Sequence, residues 1–180
     1  AASDVYKRQV YNKDLLKKVG YDSIPATWDE FLTMCGKLKA AGITPYLEPK
    51  DGLGNAVEGW IGAESAKQGE ALDAKIDAGK DTFKNVYGKY YGEWDKLIKQ
   101  NLMSSDVSGL SGDQVKSEFT AGRLAVYPSG SWDIDSFNET GLNYGFGQIP
   151  MLKKGDTPYA PGSIDPAFGI NNKISGDKLK

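Results

Sequence analysis

Twice along the chain an amphipathic helical stretch stops at a glycine and a short apolar run follows. In the first, Phe31, Leu32, Cys35 and Leu38 fall at i, i+1, i+4 and i+7, Gly42 follows, and residues 43–47 read ITPYL. In the second, Val115 and Phe119 share one face of residues 113–121, Gly122 follows, and residues 124–127 read LAVY. Spacings of three and four put side chains on one stripe of a helix, whereas a compact apolar run between turn residues fits a buried strand. Glycine ends such helices because it accepts the left-handed backbone of a C-terminal cap. Helices alternating with strands in this way, with no internal repeat and no interdomain linker, predict an α/β fold in which helices flank a sheet.

The rest of the chain fits that plan. Asn12 is placed to cap a short helix that buries Leu15, Leu16 and Val19 and ends at Gly20. Thr27 and Glu30 have the spacing of a capping box for the next helix. A turn-rich stretch over residues 49–54 leads into a helix starting near Asn55, and residues 69–82 read as a polar surface excursion. Phe83, Tyr87, Tyr90, Trp94 and Leu97 recur at steps of four and three, which predicts a core face, not an aromatic binding box. Residues 128–131 read as a loop and 133–137 as a helical turn; 144–149 and 167–170 read as strands. The first nine residues, AASDVYKRQ, show no continuity with the rest of the chain and are expected to be foreign to the fold, so that Val10-Tyr11 looks like a strand cut in the middle.

Composition removes several chemistries. The 180 residues contain no histidine, which excludes Ser-His and Cys-His nucleophile systems and most zinc sites. A net charge of −2 with both signs interspersed gives no electrostatic case for nucleic acid, and no apolar run approaches the length of a membrane span. No motif points to a cofactor. Cys35 falls on the apolar face of its helix and reads as a buried structural thiol. The 10 Tyr, 6 Phe and 4 Trp are the unusual feature: flat amphipathic surface suits a sugar or peptide ligand as well as a core.

Three segments resemble one family. VYNKDLLKKVGYDSIPATWDEFLTMCGKLKAAGITP, FTAGRLAVYPSGSWDIDSF and NYGFGQIPMLKKGDTPYAPGSIDPAFGINNK are similar, in order and spacing, to stretches of the family 1, maltose-binding-protein-like solute receptors of carbohydrate ABC importers. The resemblance covers residues 10–180. It implies one lobe of a periplasmic-binding-protein type II fold, with a mixed sheet flanked by helices. Residues 10–168 would be most of the C-terminal lobe, and 169–180 would begin the crossover back to an N-terminal lobe that these residues do not include. The implied partners are a carbohydrate ligand and the membrane permease of an ABC importer, with no direct insertion of this chain into the membrane. The implied location is extracellular or periplasmic, with the parent lipid-anchored or free.

The resemblance also suggests a site. Ligands of open α/β sheets bind outside the carboxyl ends of strands. Trp132 follows such a strand and matches a sugar-stacking tryptophan of maltose-binding relatives; a core or lobe-packing role is the alternative. Gly130 is expected to let the ligand approach the backbone, and Ser131 and Asp133 to serve its hydroxyls, since a hydroxyl stripped of water without a new partner costs about 1–3 kcal/mol. Trp60 matches a tryptophan of the cleft-lining segment, or belongs to the core. Asn55 either bonds a hydroxyl or caps its helix. Ser163 and Asp165 occupy a region where relatives place polar contacts, with a turn role as the alternative for Asp165. Tyr11 is a further candidate beside the hinge. Ala56 and Val57 stand where relatives carry an aromatic, which speaks against a maltose-like specificity. A competing reading is a glycoside hydrolase fragment using paired carboxylates such as Asp133 and Asp135, but nothing in the sequence sets a matched acid opposite them. A structural or adhesion domain is the third reading and has no sequence feature of its own.

Overall fold

The computed structural model describes residues 4–69, 71–158 and 162–164. Strand β1 (Asp4–Asn12) leads directly into helix α1 (Lys13–Lys17). The lead expected over residues 1–9 is therefore, from Asp4 onward, the first six residues of that strand. Asn12 caps α1 as its spacing predicts, its side chain accepting from the Asp14 and Leu15 amides.

Helix α2 (Trp28–Ala40) and strand β2 (Thr44–Tyr46) come next. Thr27 sits at the N-cap of α2 but its side chain makes no capping bond. The tertiary structure takes over there, with the Trp28 amide donating to the Met151 carbonyl at 2.8 Å. The capping box in this fold is at Ser111 and Gln114 instead. After β2 the chain forms helices α3 (Asn55–Gln68), α4 (Asp73–Asp77), α5 (Phe83–Trp94), α6 (Lys96–Lys99) and α7 (Gly112–Thr120). Helix α4 lies inside the stretch read as a polar excursion, tied down by buried Leu72. Strand β3 (Leu124–Gly130), helix α8 (Ile134–Glu139), strand β4 (Tyr144–Gly147) and strand β5 (Gly162–Ile164) complete the described chain. The strand expected at 167–170 lies outside the described residues.

The sheet is mixed, in the order β2-β3-β1-β4. β2 runs parallel to β3, and β1 runs antiparallel to β3, β4 and β5. β3 is longer than its four apolar residues suggest, because Pro128 is tolerated within it. Val126 accepts from the Leu47 amide, so even-numbered residues of β3 direct their backbone toward β2. The last β2 residue paired is Tyr46, opposite Val126. The N–H that Pro128 lacks would point past the end of β2, where there is no ladder partner to lose.

Two packed layers make the core. On one face Phe119 of α7 and Phe137 of α8 meet Tyr127 at centroid distances of 5.1 and 6.3 Å. On the other, Trp28 stacks on Phe31 at 5.2 Å and meets Trp60 edge-on at 4.8 Å, while Phe31 meets Tyr46 of the sheet at 5.5 Å. The stripe read on α5 divides between two faces. Tyr90 and Leu97 are buried, and Val86 joins them, whereas Phe83 is 57% exposed and Tyr87 partly exposed. Phe83, Tyr87 and Tyr91 form a separate row one step around the helix, with Phe83 stacked on Tyr87 at 4.5 Å.

Because β2, β3 and β4 are mutually parallel, their carboxyl ends share one edge of the sheet. The first half of β1 crosses that edge: Gln9 lies opposite both Pro128 and Gly147. Beyond it, Asp4 to Tyr6 pair with β5 as a two-stranded ribbon.

Candidate functional site

At the carboxyl end of β3 the chain makes a 3-10 turn over Ser131–Asp133 and enters α8. This turn brings Ser131, Trp132 and Asp133 together. Trp132 is 55% exposed, an unusual state for so large an apolar side chain. Its six-membered ring lies against Gly130: a Cβ there would come within 2.2 Å of the ring. The backbone of Gly130 is extended, with φ −155°, so glycine is needed for space and not for conformation. The close approach expected of a ligand at Gly130 is thus made by the Trp132 ring itself.

Asp133 is oriented inward. Its Oδ2 accepts from Ser129 Oγ at 2.7 Å and from the Tyr127 hydroxyl at 3.4 Å, and its Oδ1 accepts from Lys116 Nζ at 3.2 Å. Burial, with the neighbouring carboxylate, pushes the Tyr127 phenol well up. Ser131, in contrast, is exposed. The turn therefore offers an aromatic surface and a hydroxyl outward, and holds its carboxylate beneath them.

Asn55 belongs to a second cluster, buried under the same edge. Its Oδ1 accepts from Gln9 Nε2 at 3.1 Å, and it is 3% exposed. It is the first residue of α3, whose N-cap is Gly54. The carboxyl partner of this helix start is Glu48, which sequence reasoning does not single out. Glu48 Oε2 accepts from the Gly54 amide at 2.7 Å and from Trp94 Nε1 at 2.9 Å, and Oε1 accepts from the Tyr46 hydroxyl at 2.7 Å. Burial raises the Glu48 carboxyl to about 7, against the opposing pull of these bonds. The available signal is a single carboxylate closing an apolar strand just ahead of a turn and a helix. Gln9 Oε1, in the same cluster, has no hydrogen-bond partner among the described residues.

Trp60 is set apart from Trp132. It is 4% exposed, and its Nε1 donates to the Pro150 carbonyl at 2.9 Å. It forms part of the floor of a groove of about 470 Å³ between α3, α5 and residues 149–158, with Glu64, Lys67, Lys89 and Lys153 also lining it. Trp132 does not line this groove. Tyr11 is buried against Gly145, where a Cβ would lie 2.6 Å from its ring. Ser163 lies in β5 opposite Val5, on the ribbon beyond the edge. Asp165 lies outside the described residues. Among the described residues no group of acidic and thiol side chains could hold a metal ion, and no helix is long and apolar enough to cross a membrane.

The sequence profile of the family described as bacterial extracellular solute-binding protein matches residues 9–173. The galactooligosaccharide-binding protein of Bacillus subtilis (strain 168) is 28% identical over 148 residues, 81% of this chain and 34% of that protein. The sn-glycerol-3-phosphate-binding periplasmic protein UgpB of Brucella abortus (strain 2308) is 28% identical over 151 residues, 79% of this chain and 34% of its own length. Among solved structures, a family 1 extracellular solute-binding protein from Bifidobacterium longum subsp. infantis superposes with a TM-score of 0.83 at 34% identity. That match covers 98% of this chain and 47% of the other. The chain therefore spans about a third of the length of these curated relatives and about half of this structural one.

Proposed function

This chain belongs to the bacterial extracellular solute-binding proteins, and from that premise we propose that it binds a sugar or oligosaccharide for delivery to the permease of an ABC importer, without catalysis. On this reading residues 10–168 are one lobe of a two-lobed receptor, working outside the cytoplasmic membrane. The ligand lies between the lobes, across the carboxyl edge of the sheet. The β1–β5 ribbon that leaves this edge is the natural connection to the other lobe.

The observation that carries the reading is Trp132, 55% exposed at the carboxyl end of β3 with its ring seated on Gly130. The C–H-rich face of a sugar ring packs on such a surface, and hydroxyls at its rim need polar partners. Exposed Ser131 is the partner proposed in the same turn. Asn55 is proposed to support the site from the polar cluster below the edge, and Trp60, set apart from Trp132, to serve the ligand only as part of the floor of the separate groove beside α3. Ser163 is proposed to contribute from the ribbon.

The test is calorimetry at millimolar ligand with raffinose, maltose, chitotriose and sn-glycerol 3-phosphate, on the chain and on Trp132→Ala, with chromatography of the sugars afterwards. A saturable response to a sugar, lost in Trp132→Ala, with every sugar recovered intact, is expected. Binding of sn-glycerol 3-phosphate with no response to any sugar would overturn the sugar reading. Cleaved products would restore the hydrolase.

A further inference from the structure

Taking Trp132 as the sugar platform of the proposed function, we propose that Asp133 is a positioning residue that fixes the platform through an internal clamp and does not itself bind the ligand. The carboxylate is 13% exposed as a side chain. Its two oxygens are engaged from two elements: Ser129 and Tyr127 on β3, and Lys116 on α7. These bonds pin the first turn after β3 to the face of the sheet that packs on α7. An ionised acceptor with a short hydroxyl bond and an ammonium is among the stronger tethers a surface turn can have.

The clamp matters because Trp132 is the neighbouring residue. Held at Asp133 on one side and seated on Gly130 on the other, the indole is fixed although more than half of it faces solvent. A platform held in one orientation before the ligand arrives loses less side-chain freedom on binding. Lys116 thereby serves the site without touching it.

The chain labelled with 5-fluorotryptophan tests this, first without ligand. Its four tryptophans give four ¹⁹F resonances, and Trp132→Phe assigns the one from Trp132. In Asp133→Asn, Lys116→Met and Ser129→Ala, the Trp132 resonance is expected to move toward its position in the urea-unfolded chain. Those of Trp28, Trp60 and Trp94 should hold. If Trp132 stays in place in all three variants, the clamp does not position it and the inference fails. If all four resonances move together, in Lys116→Met as well as in Asp133→Asn, the carboxylate is a general anchor of the fold and the inference also fails.

Addition of raffinose to the unsubstituted chain tests the platform reading separately, since a failure there leaves the ligand-free spectra to decide the clamp. Where raffinose binds, all three variants should weaken it, by about tenfold for loss of a charge-assisted tether. A loss confined to Asp133→Asn, with Trp132 unmoved in the others, would make Asp133 a direct contact and overturn the proposal.

Discussion

Trp28 and Trp132 put the same side chain to opposite uses. Trp28 is 1% exposed, stacked on Phe31, with its Nε1 donating to the Glu93 carbonyl at 3.2 Å. Trp132 rests on a glycine and faces out. Trp28→Ala should therefore cost about 3–5 kcal/mol of stability, and Trp132→Ala under about 1.5 kcal/mol, in urea titrations of both variants. A large loss for Trp132→Ala would place it in the core and remove the platform. Trp132 was legible in the sequence because a tight polar loop followed by a large aromatic is a local anomaly. The roles of Asp133 and Glu48 were not, since their partners Lys116, Gly54 and Trp94 come from other elements. Chain order does not reveal that a carboxylate beside Trp132 is bonded away from solvent.

At the scale of elements, Glu48 ties the end of β2 to the start of α3 and the last turn of α5. A carboxylate at a helix start is favourable to the helix dipole, but its removal from water opposes its charge. The second effect wins here, with the carboxyl raised to about 7 from an ordinary value of 4.5. Below about pH 4.5 the group is protonated in both folded and unfolded chains and contributes no pH dependence. As pH rises, the unfolded chain ionises first, so stability falls through the window up to about pH 7 and then levels. The full effect is on the order of 3 to 4 kcal/mol. Glu48→Gln keeps an oxygen to accept from Gly54 and Trp94 but cannot ionise. The stability of the natural chain relative to this variant should therefore decline from pH 4.5 to 7, in urea titrations across that range. Parallel curves would show that Glu48 ionises at its ordinary value. The helix–glycine–strand units around Gly42 and Gly122 were legible because their signals are local. The extension of β3 through Pro128 depends on where β2 stops, and the unused cap at Thr27 depends on Met151; neither is visible in a window of sequence. The division of the α5 stripe is not visible in the sequence because two adjacent faces, one buried and one exposed, both carry aromatics.

The whole molecule, on the proposed reading, is a lobe that needs a counterpart. Receptors of this kind close on their ligand, so each lobe contributes a share of the contacts. Binding near micromolar corresponds to about −8 kcal/mol, and half of that is near millimolar. The 180 residues alone should then bind their sugar at about millimolar strength. A protein carrying both lobes should bind it at least about 100-fold tighter, by calorimetry on the two with the same sugar. Equal affinities would place the complete site within this chain. The core that supports the lobe also carries a timer. Cys35 has no exposed surface, and burial pushes its thiol far up, so in the closed protein there is neither access for a reagent nor thiolate to react. Modification by excess disulfide reagent must wait for the core to open, and its speed reads out how often that happens. Trp132→Ala should be modified as slowly as the natural chain, whereas Trp28→Ala should be modified much faster.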